Sequence, residues 1–230
     1  MNTLNSSRVA ELLDELHQDA DAWDCTHVEV RTERIEALGT SMEQLLLDLL
    51  AGECADHGST YRDYAGNSLA VSPDYGRFLY AMARASKARR IVQFGTSVGI
   101  STIYLAAALR DNGGGLLIGS EMEPAKVARA LANLDAAGLA DLVNIRVGDA
   151  LETLKDMADD IDLLLFDGAF SSYRPALKLI EHRLRPGAVI LGENAFEPDY
   201  RNHVRAAANG YLSLALPDEG RGNEFSVRVA

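Results

Sequence analysis

Three oxygen-bearing side chains, Asp167, Glu193 and Asn194, stand just beyond two apolar runs, "IDLLLF" and "GAVIL". Two carboxylates and an amide oxygen are hard donors, suited to Mg²⁺ or Ca²⁺ rather than to a thiophilic metal. The purely structural alternative is a helix cap at Asp167 and a hydrogen-bonded loop at Glu193–Asn194, with no ion. A second constellation lies earlier, in "RIVQFGTSVGIS". There an apolar run meets a turn with glycines at 95 and 99, and Thr96, Ser97 and Ser101 offer hydroxyls beside an expected helix start. The turn is no P-loop, because no Lys-Ser/Thr follows the second glycine. It also lacks the middle glycine of the dinucleotide fingerprint, which lets a pyrophosphate approach closely. A phosphate is disfavoured; a carboxylate suits the turn better.

The elements that must position these groups follow from hydrophobic rhythm. After residue 88, short apolar runs alternate with helical windows, giving strands at about 90–94, 116–120, 142–147, 161–166 and 187–192. Such alternation implies an α/β protein, doubly wound about a mostly parallel sheet. "GYLSLALP" and "NEFSVRVA" alternate apolar and polar residues across a turn rich in Asp218, Gly220 and Gly222, predicting an antiparallel hairpin at the C-terminal edge. Ligands of such sheets sit beyond the carboxyl ends of the strands. Glu121 ends the second strand, where an acidic group suits the two hydroxyls of a ribose. Asp149 ends the third, near where an adenine edge would lie. A ligand with a carboxylate, a ribose and an adenine but no phosphate fits all three ends, and S-adenosylmethionine has those parts. Singly, Glu121 and Asp149 read equally well as helix caps; their order along successive strand ends is the stronger signal.

The part before residue 88 reads as helical. Val9, Leu12, Leu13 and Leu16 fall at helix spacing behind a cap at Ser6 or Ser7, and Leu45, Leu46, Leu49 and Leu50 share a face closed by Gly52. Residues 55–71 read as a loop, and Ser72-Pro73 opens the next helix. These stripes suit packing on the main domain and equally a partner subunit. With 230 residues, 47% hydrophobic and 24% charged, there is ample core material. The formal charge of −12 argues against a nucleic-acid surface. Cys25 and Cys54 have no metal-type spacing and read as free thiols. The chain shows neither a leader pattern nor a membrane-length apolar run, so the expectation is a cytoplasmic protein with no membrane partner.

The motifs taken together resemble the class I S-adenosylmethionine-dependent O-methyltransferases of the catechol and caffeoyl-CoA type. The resemblance covers roughly 66–230: "SPDYGRFL", "FGTSVGIS", "SEMEPAKVARALANLDAAGL", "VGDALETL", "LLLFDGAFSSY", "LRPGAVILGEN" and the closing hairpin occur in the family's order. It implies a Rossmann-like seven-stranded domain over 61–230, with a helical segment over 1–60 acting as a cap or dimer contact. It also implies a cofactor set of Val71, Gly95, Thr96, Ser97, Gly99, Ser101, Glu121, Met122, Asp149, Ala150 and Asp167. Asp167, Glu193 and Asn194 take the metal-ligand positions, with Asp167 also the catalytic candidate, and Tyr173 matches an aromatic that packs after the fourth strand.

Three departures stand out. Gln93 replaces the usual first-strand glutamate, Glu193 replaces an aspartate, and Phe170 stands where catechol-type members carry a lysine base. The expectation is therefore methyl transfer from S-adenosylmethionine to a small hydroxylated, ring-bearing metabolite, assisted by Mg²⁺ or Ca²⁺, in a homodimer. The alternatives are metal-independent transfer to oxygen or nitrogen, with His27 or His57 as candidate bases, and a cofactor-binding module that has lost catalysis.

Overall fold

A computed structural model describes residues 2–39, 41–62, 64–217 and 222–229, with the backbone alone for 23–38, 42, 43, 45 and 46. The side chains of Cys25, His27, Leu45 and Leu46, and the turn residues Asp218 and Gly220, thus lie outside the described residues. Seven strands form one sheet: β1 (Arg90–Phe94), β2 (Leu116–Glu121), β3 (Val143–Val147), β4 (Ile161–Phe166), β5 (Leu184–Gly192), β6 (Tyr211–Ala215) and β7 (Glu224–Arg228). Their spatial order is β3-β2-β1-β4-β5-β7-β6, with β1 to β5 parallel and β7 antiparallel to both its neighbours. The expected doubly wound sheet and C-terminal hairpin are both present. β5 begins three residues earlier than its apolar run, because Leu184 already pairs with Ile161 across a register shift.

The period of two along each strand sorts the core into two layers. Ile91, Leu163, Leu165, Val189 and Leu191 pack on one face, beneath α3 (Pro73–Ala85), α4 (Ile100–Asp111) and α5 (Pro124–Ala137). Val92, Leu164, Phe166 and Ile190 pack on the other, against α6 (Ala150–Thr153), α7 (Tyr173–Ile180) and α8 (Pro198–Arg205). Every residue of α4 from Ile100 to Leu109 is buried, since helices cover the side that faces away from the sheet. One of them is α1 (Ser7–Leu38), whose Val9, Leu13, Leu16 and Ala20 join the α4 layer. The cap of α3 is as the sequence suggests: Pro73 opens the helix and Ser72 Oγ accepts from Tyr75 N at 3.2 Å. At α1, Ser6 Oγ instead donates to Thr3 O.

One expectation is corrected. Gly52 does not close a helix and 55–71 is not a loop throughout, for α2 runs Met42–Arg62 with a single break at Asp56 (φ −160°, ψ 89°). The chain restarts there because Asp56 Oδ1 accepts from Ser59 N at 2.9 Å, an N-cap inside the segment. Among the described residues no helix is long and apolar enough to cross a membrane.

At the hairpin, Glu224 is fully buried on β7. Its carboxylate receives both arms of Arg205 from α8, at 2.9 and 2.6 Å, and the Ser213 hydroxyl of β6 at 2.6 Å. Removing one partner of such a pair leaves a buried charge uncompensated. Arg205→Ala is expected to lower the urea-unfolding free energy by about 2–3 kcal/mol, less than for a fully buried pair because the guanidinium is half exposed. Adding Glu224→Gln should restore part of that loss.

Candidate active site

The crossovers leaving β1 and β4 run to opposite sides of the sheet, opening a crevice at the strand carboxyl ends. A cavity of about 270 Å³ occupies it. Gln93 supports its floor from below. Fully buried on β1, it donates through Nε2 to Gly95 O at 2.8 Å and to Ser101 Oγ at 2.9 Å. It accepts from Thr102 Oγ1 at 2.9 Å. Ser101 in turn donates to Asp167 Oδ2 at 3.1 Å. An amide at 93 thus satisfies every neighbour, and a chain of hydrogen bonds links β1, the first turn of α4 and the end of β4.

Gly95 has φ +87°, and a Cβ there would fall 1.9 Å from Asp167 O. Only glycine lets the two strand ends come so close. Gly99, at φ +91°, is not among the cavity-lining residues; its bare Cα lets α5 approach, with Ala130 Cβ 3.2 Å from where its own would be. Thr96, Ser97, Ser101 and Val71 do line the cavity. Ser97 takes a left-handed conformation (φ 47°), its N–H donating to Glu121 Oε2 at 2.7 Å and its hydroxyl to Ser68 O at 2.6 Å. Glu121 Oε1 accepts from Glu123 N at 3.0 Å. Backbone donors therefore fix both carboxylate oxygens while leaving each a lone pair for a ligand hydroxyl.

Met122, Gly148 and Ala150 continue the wall, but Asp149 itself is not among the lining residues. Its Oδ1 caps α6 through Leu151 N at 2.8 Å, and its Oδ2 meets His57 Nε2 at 3.1 Å. The structural role weighed for Asp149 is realised, and His57 of α2 takes a place on the cavity wall beside it.

Asp167, Glu193 and Asn194 all line the cavity. β4 and β5 are in register through Phe166 and Gly192, and Glu193 N donates to Phe166 O at 2.8 Å, so the residues just beyond are neighbours. Tyr173, fully buried, ties the two loops together: its hydroxyl donates to Glu193 O at 2.8 Å and accepts from Gly168 N at 3.1 Å. Asn194, at φ 48°, is anchored by its N–H on Asn223 Oδ1 at 2.8 Å, and its side-chain amide donates to Glu193 Oε2. Burial pushes the Asp167 carboxyl up to about 7, with Glu121 adding to the rise and the Ser101 hydroxyl opposing it.

Asp167 forms no ion pair among the described residues, and a nearby cation would favour its charged form. In donor chemistry the trio fits a hard divalent ion. Among the described residues no group of three or more His, Cys, Asp and Glu is spaced to hold a metal, so Asn194 would have to complete the set. Phe170 lines the cavity as an apolar wall, buried and edge-on to Phe196 with ring centroids 6.0 Å apart.

Most of the far side of the cavity comes from 55–71, the stretch expected to be loop, with Leu49 and Lys126 from segments expected to be helical. Leu49, His57 and Tyr61 of α2, with Tyr64 and Ser68–Ala70 beyond it, complete the lining, as does Lys126 of α5. His57, Tyr61 and Tyr64 recur at helical spacing. That was the available signal, masked by Asp56 and Gly58.

Residues 92–195 match the family described as "Methyltransferase domain". The chain is 34% identical over 131 residues to a catechol O-methyltransferase of Niastella koreensis, covering 55% of this chain and 58% of that one. It therefore spans little more than half the length of that relative. It is 30% identical over 158 residues to a protein of Mycolicibacterium smegmatis that bears an O-methyltransferase name, covering 65% of this chain and 74% of the other. Among solved structures, the O-methyltransferase TomG of Streptomyces achromogenes in complex with S-adenosylmethionine is similar with a TM-score of 0.65. The identity there is 26%, over 74% of this chain and 86% of TomG.

The raised Asp167 carboxyl makes a prediction for stability. Its folded pKa lies above its unfolded one, so its contribution is complete below pH ~4 and is lost as pH rises through about 7. In chelator-treated protein, thermal unfolding of Asp167→Asn should therefore gain on the wild type as pH is raised from 4.5 to 8. A pH-independent difference between the two chains would show that the carboxyl is not held near neutrality.

Proposed function

The chain belongs to the class I S-adenosylmethionine-dependent O-methyltransferase family, and from that membership we propose that it transfers the methyl group of S-adenosylmethionine to a hydroxyl of a small, ring-bearing metabolite. The observation that carries the reading is the convergence of Glu121, Asp167, Glu193 and Asn194, all at predicted strand ends, on one cavity. Glu121 and Ser97, locked together, form the ribose wall. Met122 and Ala150 flank the expected adenine position, and Thr96, Ser101 and Asp167 face the methionine end. When bound, S-adenosylmethionine supplies an electrophilic methyl group on a sulfonium. The chain's own task is alignment and exclusion of water, and positioning alone can supply much of the acceleration. The Gln93–Ser101–Asp167 chain holds the floor rigid, while Phe170, Tyr64 and Leu49 offer an apolar wall to the ring.

Metal assistance is part of the same proposal. Asp167, Glu193 and Asn194 would hold a divalent ion, which would lower the pKa of an acceptor hydroxyl beside it. Glu193 brings one methylene more than the family's aspartate, and Mg²⁺ is demanding about geometry, so Ca²⁺ is the ion to try beside it. We place the acidic chain in the cytoplasm as a homodimer, a state that light scattering would test.

Calorimetric titration of S-adenosylhomocysteine should give one-to-one binding, weakened at least about tenfold in Glu121→Ala, the cost of one or two charge-assisted hydrogen bonds. Absence of any binding heat for the wild type would remove the reading. Methyl transfer to catechol, abolished by chelation and restored by Mg²⁺ or Ca²⁺, would support the ion. Turnover indifferent to chelator would make the reaction metal-independent and leave Asp167 and Glu193 as structural carboxylates.

A further inference from the structure

Methyl transfer to a hydroxyl must dispose of a proton, and Phe170 cannot take it. The structure places an unexplained acid beside that position. Glu53, on α2, is 2% exposed and forms no ion pair among the described residues. Burying a carboxylate is costly unless its oxygens are hydrogen-bonded, and both are. Oε2 accepts from Ser171 N at 2.9 Å, in the turn that carries Phe170, and Oε1 accepts from Tyr61 Oη at 3.0 Å. Tyr61 in turn lines the same cavity as Asp167 and Phe170. Its phenol has one proton, and that proton is committed to Glu53. Toward anything else in the cavity its oxygen can only accept.

We propose that Tyr61 receives the acceptor's proton and relays it to Glu53, doing from α2 what a lysine at position 170 would do from the β4 turn. The inference rests on the O-methyl-transfer reading above and commits it to a phenolic hydroxyl. As the acceptor oxygen forms its bond to the methyl carbon, the carbon–sulfur bond breaks and its electron pair returns to sulfur, discharging the sulfonium. The acceptor O–H proton passes to Tyr61 Oη while the Tyr61 proton passes to Glu53 Oε1. Glu53 ends as a neutral carboxyl and releases its proton to water when the product leaves.

The electrostatics of the pair agree with this direction of transfer. Burial raises the Glu53 carboxyl, against the lowering by Ser171, Tyr61 and His57, so it holds a proton more readily than an exposed glutamate. Burial, and then Glu53, pushes the Tyr61 phenol well above its ordinary value. Tyr61 is thus no standing tyrosinate and needs the carboxylate behind it. Tyr61 is the catalytic residue of the pair, and Glu53 acts through it.

The test is steady-state methylation of catechol, as a phenolic probe, by the full chain and by Tyr61→Phe and Glu53→Gln. S-adenosylhomocysteine titrations of all three report whether the cofactor site is intact. Tyr61→Phe should lower kcat by about a hundredfold or more, the scale of general acid–base catalysis, and Glu53→Gln should lower it in the same sense. KM for S-adenosylmethionine and the S-adenosylhomocysteine affinity should stay as in the wild type.

A Tyr61→Phe chain with wild-type kcat, or one impaired only through KM, would overturn the relay. So would a wild-type chain that binds S-adenosylhomocysteine yet leaves catechol unmethylated. If Glu53→Gln fails to fold, Tyr61→Phe, which keeps the ring, decides the matter alone. A wild-type chain that binds no S-adenosylhomocysteine would instead bring down the methyl-transfer reading, and the relay with it.

Discussion

The cavity depends on one close approach, the bare Cα of Gly95 against the backbone carbonyl of Asp167. Parallel pairing of β1 with β4 ends at Phe94 and Phe166, and Asp167 N still donates to Phe94 O at 2.8 Å. A side chain on residue 95 would wedge these strand ends apart. With glycine there, the turn into α4 and the carboxylate of Asp167 share one small volume, and Ser101 spans the gap. Gln93 then fixes the turn from beneath without bringing a charge into the core. A buried glutamate at that position would stand near Asp167 and require a counter-charge or a proton. The amide avoids that cost while keeping the donor and acceptor ends that Gly95, Ser101 and Thr102 use.

The two sides of the cavity are built on different principles. Its floor belongs to the sheet, where Glu121 ends β2, Asp167, Glu193 and Asn194 stand one or two residues beyond β4 and β5, and Ser97 and Ser101 follow β1 into α4. Its roof belongs to α2, which crosses those strand ends and is held there by side chains. Glu53 is bound to the turn after β4 and His57 to the cap of α6. Gly58 lies over Met122, whose sulfur would be 3.8 Å from a Cβ on it. Hydrogen bonds from a helix to two separate loops can be broken without disturbing the core, whereas the floor cannot move without unpairing strands. The floor is therefore the fixed side of the cavity and the roof the side that can shift.

That division also explains what could be read from the sequence. The five parallel strands were legible as short apolar runs between helical windows, each ending in or running into glycine or an acid, and the hairpin was legible from its alternation. The floor followed directly, since strand ends in such a sheet must converge. The roof was legible only in its first half, up to Gly52. Asp56 and Gly58 look like loop chemistry, and Asp56 does interrupt the helix, yet it also caps the turn that follows, so the helix resumes through His57 and Tyr61. Asp149 shows a different limit. Its type and its place at a strand end fit a ligand contact and a helix cap equally well, and only the position of His57 reveals where both carboxylate oxygens go.

Phe170 shows how a substitution that looks like a loss can be part of a consistent design. In the turn after β4, Phe170 faces the cavity and packs on Phe196, Ser171 offers its N–H to Glu53, and Tyr173 holds the Glu193 loop by its hydroxyl. A lysine at 170 would need to keep its ammonium solvated or paired where Phe170 now packs on Phe196. Phenylalanine has no such requirement and presents an apolar face to the cavity. The carboxylate on the neighbouring N–H is then shielded from water, which strengthens its hold on the Tyr61 phenol. Apolar wall and proton acceptor are thus not competing uses of the turn, because the first provides the low-dielectric setting in which the second can take up a proton.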